Sequence, residues 1–195
     1  MLHKPTIDVQ EPESEDARVE RSGRALRAAM RELLYEQAFD SITVLQIVQR
    51  AGVSRGTFYA RYRNKEDALT SSFEGMFGAF EHQLHANPRD RRLVPVAELL
   101  THFAEARPVM ASLETSGRLT QIWELGGDFI ADLIVRRMPA TGARASLPPQ
   151  LAARMLAGAL MEMIRWWLDH PDRSTPDALD REFHVMAERL LTSAR

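Results

Sequence analysis

The chain has 195 residues, 45% of them apolar, a formal net charge of −2 and no cysteine. That length suits one large or two small domains with a sizeable core, and the missing thiol excludes disulfides, thiolate metal sites and cysteine nucleophiles. No apolar run approaches the roughly 18 residues of a membrane span, and the N-terminus lacks a signal-peptide core, so a cytoplasmic protein is expected.

Charge is distributed unevenly. Residues 1–17 carry one lysine against five acids, 18–66 carry ten basic groups against five acids, and 67–195 carry fourteen arginines against seventeen acids. The basic block in 18–66 has the charge of a phosphate-binding face, although a solvated basic surface has the same composition. Segment 1–17 is polar, acidic and without apolar period, and reads as a disordered tail. From Arg18 onward Leu26, Ala29, Met30, Leu33 and Leu34 recur at helical spacing, with Arg24, Arg27 and Arg31 off the stripe. This first helix is expected to end near Gln37, with Phe39 folding back onto it.

Helices then follow near 43–50, 54–61, 65–85, 95–106, 108–115, 118–138, 148–170 and 176–193, punctuated by proline and glycine. No strand-like alternation separates them, so the fold class is all-α. The expected organisation is the tail 1–17, a three-helix helix-turn-helix domain over 18–66 and a helical ligand-sensing and dimerisation domain over 67–195.

The most informative stretch runs from Asp40 to Lys65. Thr43 is placed to cap a short helix whose Val44, Ile47 and Val48 face inward. Gly52 stands where the chain must turn sharply, and glycine accepts a positive φ there. Ser54 can cap the next helix, whose Phe58 and Tyr62 point together toward the core; Asn64 can cap the one after. Two short helices joined by such a turn form the unit that lays its second helix in the major groove. Gly56 and Ala60 keep that helix slim, while Arg55, Thr57, Tyr59 and Arg61 supply donors to bases and phosphates. The Thr43 hydroxyl and nearby helix N-terminal amides can hold a phosphate. Lys65 follows the second helix where a backbone phosphate should pass.

Residues about 20–69 resemble the N-terminal domain of TetR-family (tetracycline-repressor-like) transcriptional regulators. The match lies in Phe39-Asp-Ser-Ile-Thr-Val, Ile47-Val, Ala51-Gly-Val-Ser, Gly56-Thr-Phe-Tyr and Asn64-Lys-Glu-Asp-Ala-Leu69. The resemblance implies that Thr43 and Lys65 hold phosphates, commonly with Tyr59, and that the helix from Arg55 to Arg61 enters the major groove. Tyr62 departs from the phenylalanine common in the family. The expected DNA-binding set is Thr43, Ser54, Arg55, Gly56, Thr57, Tyr59, Ala60, Arg61 and Lys65. Repression is the default sign of regulation that the resemblance implies.

The segment Gly158–Leu168, then Pro171 and a helix from Thr175-Pro176, is similar to the last two helices of many members. Arg154, Gly158, Glu162, Arg165 and Asp169 form one narrow polar stripe on a helix otherwise apolar, and a helix apolar on two sides needs two partners. One partner is its own domain; the other is either a second subunit or more of the same chain. The homodimer reading places Leu156, Leu160, Met163, Trp167, Phe183, Met186 and Leu190 at the interface. Candidates to line a cavity for a small apolar or amphipathic effector are Phe73, Phe77, His102, Phe103, Met110, Trp123, Gly126, Met155 and Met163, with Phe80, Ile122 and Phe129 nearby. Gly126-Gly127 inside a helix marks either a bend beside that cavity or a packing notch.

Glu81, His82 and His85 have metal-ligand types at helical spacing but lack a third ligand nearby, so no metal site is expected. No phosphate-binding glycine loop, nucleophile elbow or metalloprotease motif occurs. The function expected is that of a non-enzymatic, cofactor-free regulator whose partners are double-stranded DNA, a second copy of itself and a small effector. A constitutive DNA-binding protein without a ligand is the alternative, separated from a sensor by the presence of a cavity.

Overall fold

The computed structural model describes residues 15–86, 91–141 and 147–192, the side chains at 83, 85, 86 and 139–141 apart. Its helices are α1 (Glu15–Glu36), α2 (Val44–Ala51), α3 (Arg55–Tyr59), α4 (Lys65–Ala86), α5 (Val96–Glu105), α6 (Arg107–Thr115), α7 (Leu119–Thr141), α8 (Pro149–Asp169) and α9 (Pro176–Leu191). Single 3-10 turns at Phe39–Ser41 and Pro171–Arg173 complete the elements, and no strand occurs among the described residues.

The helical spacing of the apolar residues determines what each helix buries. Along α1, Leu26, Ala29, Met30, Leu33 and Leu34 are buried while Arg24 and Arg31 stay exposed. The helix starts at Glu15, inside the segment expected to be tail. Glu15 and Asp16 sit in its first turn, where the partial positive charge of the helix end favours acids. The rest of that expected tail lies outside the described residues. After α1 the chain does fold back, and the 3-10 turn seats Phe39 with no exposed surface.

Two apolar cores result. The first collects the α1 stripe, Phe39, Ile42, Ile47, Val48, Phe58 and Tyr62, then Ala68 and Leu69 of α4, and also Val109 and Leu113 of α6 and Ile122 of α7. Helix α6 therefore completes the core of the N-terminal unit, far from it in sequence. The second core is built from α5, α7, α8 and α9, with Leu84 of α4 contributing. Helix α4 runs between the two, which makes it a rigid connection from the N-terminal unit to the C-terminal bundle.

Helix α7 is continuous through Gly126 and Gly127. A Cβ at Gly126 would stand 3.1 Å from the Phe77 ring and 3.6 Å from the Met161 methyl, so the glycine is a packing notch for α4. None of the helices is long and apolar enough, among the described residues, to cross a membrane.

Candidate nucleic-acid interface

The α2–turn–α3 unit is held by its caps. The Thr43 hydroxyl accepts the Gln46 N–H at 3.2 Å and donates to Gln46 Oε1 at 2.9 Å, while that oxygen also accepts the Thr43 N–H at 2.8 Å. This capping box satisfies two orphan donors reciprocally. At the other end of α2, Gly52 adopts φ 65°, and its N–H reaches back to the carbonyls of Gln49 and Val48. Ser54 caps α3 by accepting the Thr57 N–H at 3.0 Å, and the two hydroxyls share a hydrogen bond at 2.9 Å. A hydroxyl pair uses one of its two protons internally and keeps the other for an outside acceptor.

The short α3 anchors through Phe58, which is fully buried and meets the Tyr62 ring edge-on at 5.5 Å. Arg55, Gly56, Tyr59 and Ala60 are exposed. The Tyr59 ring stands perpendicular to Phe58 at 5.3 Å, which aims its hydroxyl outward from a fixed base. Of the rest of the expected DNA-contacting set, Thr43, Ser54 and Arg61 are also exposed, and Thr57 and Lys65 are half-buried.

Three of the set are engaged within the fold. Arg61 donates to the Val19 carbonyl at 3.1 Å and lies 3.4 Å from Glu20, packed over Gly23 of α1. These contacts brace the end of α3 against α1 and leave other guanidinium N–H groups of the exposed Arg61 over. Thr43 spends its only proton inside the capping box, leaving the first-turn N–H groups of α2 as the donors free for a phosphate. Lys65 donates to the carbonyls of Phe39, Asp40 and Ile42 at 2.9, 3.0 and 3.0 Å, with its nitrogen 4.6 Å from the centre of the Phe39 ring. An ammonium has three N–H groups, and in the free chain all three are directed to these carbonyls.

Much of the basic block is paired in the same way. Arg27 meets Glu20, Arg50 spans Glu32 and Glu36, and Arg63 forks onto Asp67. These contacts hold the carboxyls of Glu20, Glu36 and Asp67 below the usual carboxylate range, chiefly through hydrogen bonds from Arg27, Arg50 and Arg63 respectively. Arg18, Arg24, Arg31 and Arg55 are exposed and form no ion pair among the described residues. Of these, Arg55 alone stands on α3.

The residues expected to line one ligand cavity are not brought together. Phe73 packs on the first core, Phe77 stacks on Phe129 at 5.0 Å, and Phe103 stacks on Trp123 at 5.1 Å. Four of the aromatic candidates thus stack on one another in two pairs. His102 lies with Phe80 in a groove of about 630 Å³ that also carries Arg92, Glu98, Glu105 and Asp177. Met110 and Trp123 line a separate groove of about 480 Å³ with Arg107, Leu119 and Arg165. The Arg165 guanidinium sits 5.1 Å over the Trp123 ring, a pairing between helices that sequence spacing does not reveal. Gly126 is the notch for Phe77, Met155 is on the outer surface, and Met163 packs at the edge of the second core. His82 is exposed, and the His85 side chain lies outside the described residues.

Four of the seven residues expected at a dimer face lie in the chain's own core. Leu156, Leu160, Trp167 and Phe183 are at most 6% exposed in the single chain, where they form its own core. The outer side of α8 instead exposes Leu151, Met155 and Trp166, and α9 exposes Val185 and Met186 beside the partly buried Leu190. On α8 these exposed apolar residues stand among the exposed Arg154, Glu162, Arg165 and Asp169 of the polar stripe.

Residues 26–69 match the family described as bacterial regulatory proteins, tetR family, and residues 114–191 match the MftR C-terminal domain. A fatty acid metabolism regulator protein of Bacillus subtilis (strain 168) is 21% identical over 152 residues, covering 70% of this chain and 78% of that protein. The dihydroxyacetone kinase operon activator DhaS superposes with a TM-score of 0.62 at 15% identity, covering 88% of this chain and 96% of its own. The transcriptional regulator FadR of Bacillus subtilis in complex with stearoyl-CoA gives 0.50 at 19% identity, covering 90% and 99%. The solved structures share this fold along nearly their whole lengths.

Proposed function

Because the chain belongs to the tetR family of bacterial regulatory proteins and is a transcriptional regulator, we propose that it binds a near-palindromic operator as a homodimer. Helix α3 enters the major groove in this reading. The observation that carries it is the exposed face of α3: Arg55, Gly56, Tyr59 and Ala60 project together from a helix whose start, end and buried side are all fixed. A slim helix with one free guanidinium and one rigid phenol can approach base edges and a flanking phosphate. The second α3 of the dimer reads the other half-site, one or more helical turns away.

The dimer is assigned to the outer side of α8, where Leu151, Met155 and Trp166 stand among Arg154, Glu162, Arg165 and Asp169, and to the adjoining edge of α9, a pairing of the kind that builds symmetric helical bundles. Regulation is assigned to a small apolar or amphipathic effector, with repression as the sign. The fatty-acid-linked relatives support that class of ligand, and α4 supplies a rigid connection from the C-terminal bundle to the DNA-binding unit. A constitutive DNA-binding protein is the second reading, favoured by the stacked Phe77–Phe129 and Phe103–Trp123 pairs.

The test is selection of duplexes from a random library, followed by titration. Arg55→Ala should lose discrimination between the selected operator and random duplex, by about 1–3 kcal/mol if the guanidinium reads a guanine. Tyr59→Phe should weaken both duplexes. Selection that enriches no sequence, or an Arg55→Ala protein with unchanged preference, overturns the assignment of α3. Alkyl carboxylates that stabilise the protein thermally should also release operator. Stabilisation without release favours the constitutive reading.

A further inference from the structure

One buried residue is gripped from both halves of the molecule. The carbonyl of Phe39, with those of Asp40 and Ile42, takes the three protons of Lys65 at the start of α4. The N–H of Phe39 donates to the Ser112 hydroxyl of α6 at 2.9 Å. Its ring has no exposed surface and lies under the Lys65 ammonium at 4.6 Å and the Arg118 guanidinium at 5.9 Å. Arg118 in turn meets Glu66, the neighbour of Lys65, at 3.4 Å. The residue after the last clamped carbonyl is Thr43, the cap of α2.

We propose that Lys65 is a positioning residue for DNA binding, acting through Phe39, and that Ser112 couples the same joint to α6. The physical reason is connectivity. Three carbonyls converging on one ammonium fix the path of residues 39–42, and that path sets where α2 begins relative to α4. Helix α3 follows α2 through a single glycine turn, so an error at the joint is carried to the groove-facing side chains. Helix α6 reaches the joint through Ser112 while burying Val109 and Leu113 in the first core, so displacement of α6 pulls on Phe39 directly. The inference rests on the DNA-binding reading above.

The experiment measures affinity for the selected operator as a function of salt, well below the melting temperature, in the full chain. A phosphate contact by Lys65 would make Lys65→Met reduce the slope of log affinity against log salt by about 0.9 per subunit. A positioning role predicts a loss of roughly tenfold, the lower end of what hydrogen bonds to a charged group contribute, with the slope unchanged. Lys65→Arg separates the two without depending on Lys65→Met folding. It keeps the charge, so a phosphate contact would survive, but a planar guanidinium cannot serve three convergent carbonyls as an ammonium does. The expected result is that Lys65→Arg does not restore affinity. Ser112→Ala should weaken binding at constant slope, and the double variant with Lys65→Met should lose no more than the weaker single variant, as residues acting through one joint do. A reduced slope, rescue by arginine, wild-type affinity in Lys65→Met, or additive losses would each overturn the proposal while leaving operator binding itself intact. A wild-type chain that retains no duplex overturns the DNA-binding reading, and this inference with it.

Discussion

Met155 offers the sharpest contrast between the proposed dimer face and the side of α8 that closes the chain's own core. It is 49% exposed in the single chain, whereas Leu160, little more than one turn further along α8, is 0% exposed. Fully burying a methionine side chain contributes about 1.5–3 kcal/mol, so covering the remaining half contributes about 0.8–1.5 kcal/mol per copy and about 1.5–3 kcal/mol for the two copies of a symmetric dimer. Met155→Ala should therefore raise the dimer dissociation constant by about 10- to 150-fold, at about 1.4 kcal/mol per decade. Its effect on the stability of the isolated subunit should be small. Leu160→Ala should do the reverse, costing about 2–5 kcal/mol of folding stability through the cavity it leaves. Sedimentation equilibrium across a concentration series gives the first quantity, and denaturant unfolding under dissociating conditions gives the second. The assignment fails if Met155→Ala leaves the dissociation constant within a factor of two, or if the wild-type chain sediments at its monomer mass of 22.1 kDa throughout the micromolar range.

Three further outcomes follow from local geometry. Gly52→Ala meets no atom within 4 Å, so its cost is the left-handed backbone alone, about 1–2 kcal/mol in a urea titration; an unchanged midpoint would contradict this. Gly126→Leu should overpack against Phe77 and lower stability by about 1–3 kcal/mol, while a stabilised variant would reveal free space there. Burial beside Phe80 and Phe103 lowers the His102 pKa from the ordinary value of 6.5, with Glu105 opposing and Arg31 reinforcing. The unfolded chain therefore binds that proton more readily, so stability holds above pH 6.5 and declines as pH falls through the folded-state value. His102→Gln should flatten this decline; identical pH profiles for the two proteins would refute it.

Local chemistry was legible in the amino-acid sequence wherever a contact spans three or four residues. The caps at Thr43, Ser54 and Asn64, the positive φ of Gly52 and the pairing of Phe58 with Tyr62 all act within one turn, and the structure shows each of them. The all-α class and the limits of α2–α9 were legible for the same reason, since apolar period and proline placement act along the chain. What partners each polar group finds across the fold was not. Lys65 and Phe39 are 26 residues apart, Arg61 and Val19 are 42 apart, and Phe39 and Ser112 are 73 apart. Nothing in sequence spacing distinguishes an arginine awaiting phosphate from one already bonded to a carbonyl. The same holds for α8, whose apolar pattern does not say which of its side chains face the chain's own core. Only the packing of α7 and α9 against Leu156, Leu160 and Trp167 decides that Met155 and Trp166 are left outside, because burial is a property of the assembled surface and periodicity reports only that a surface will be buried.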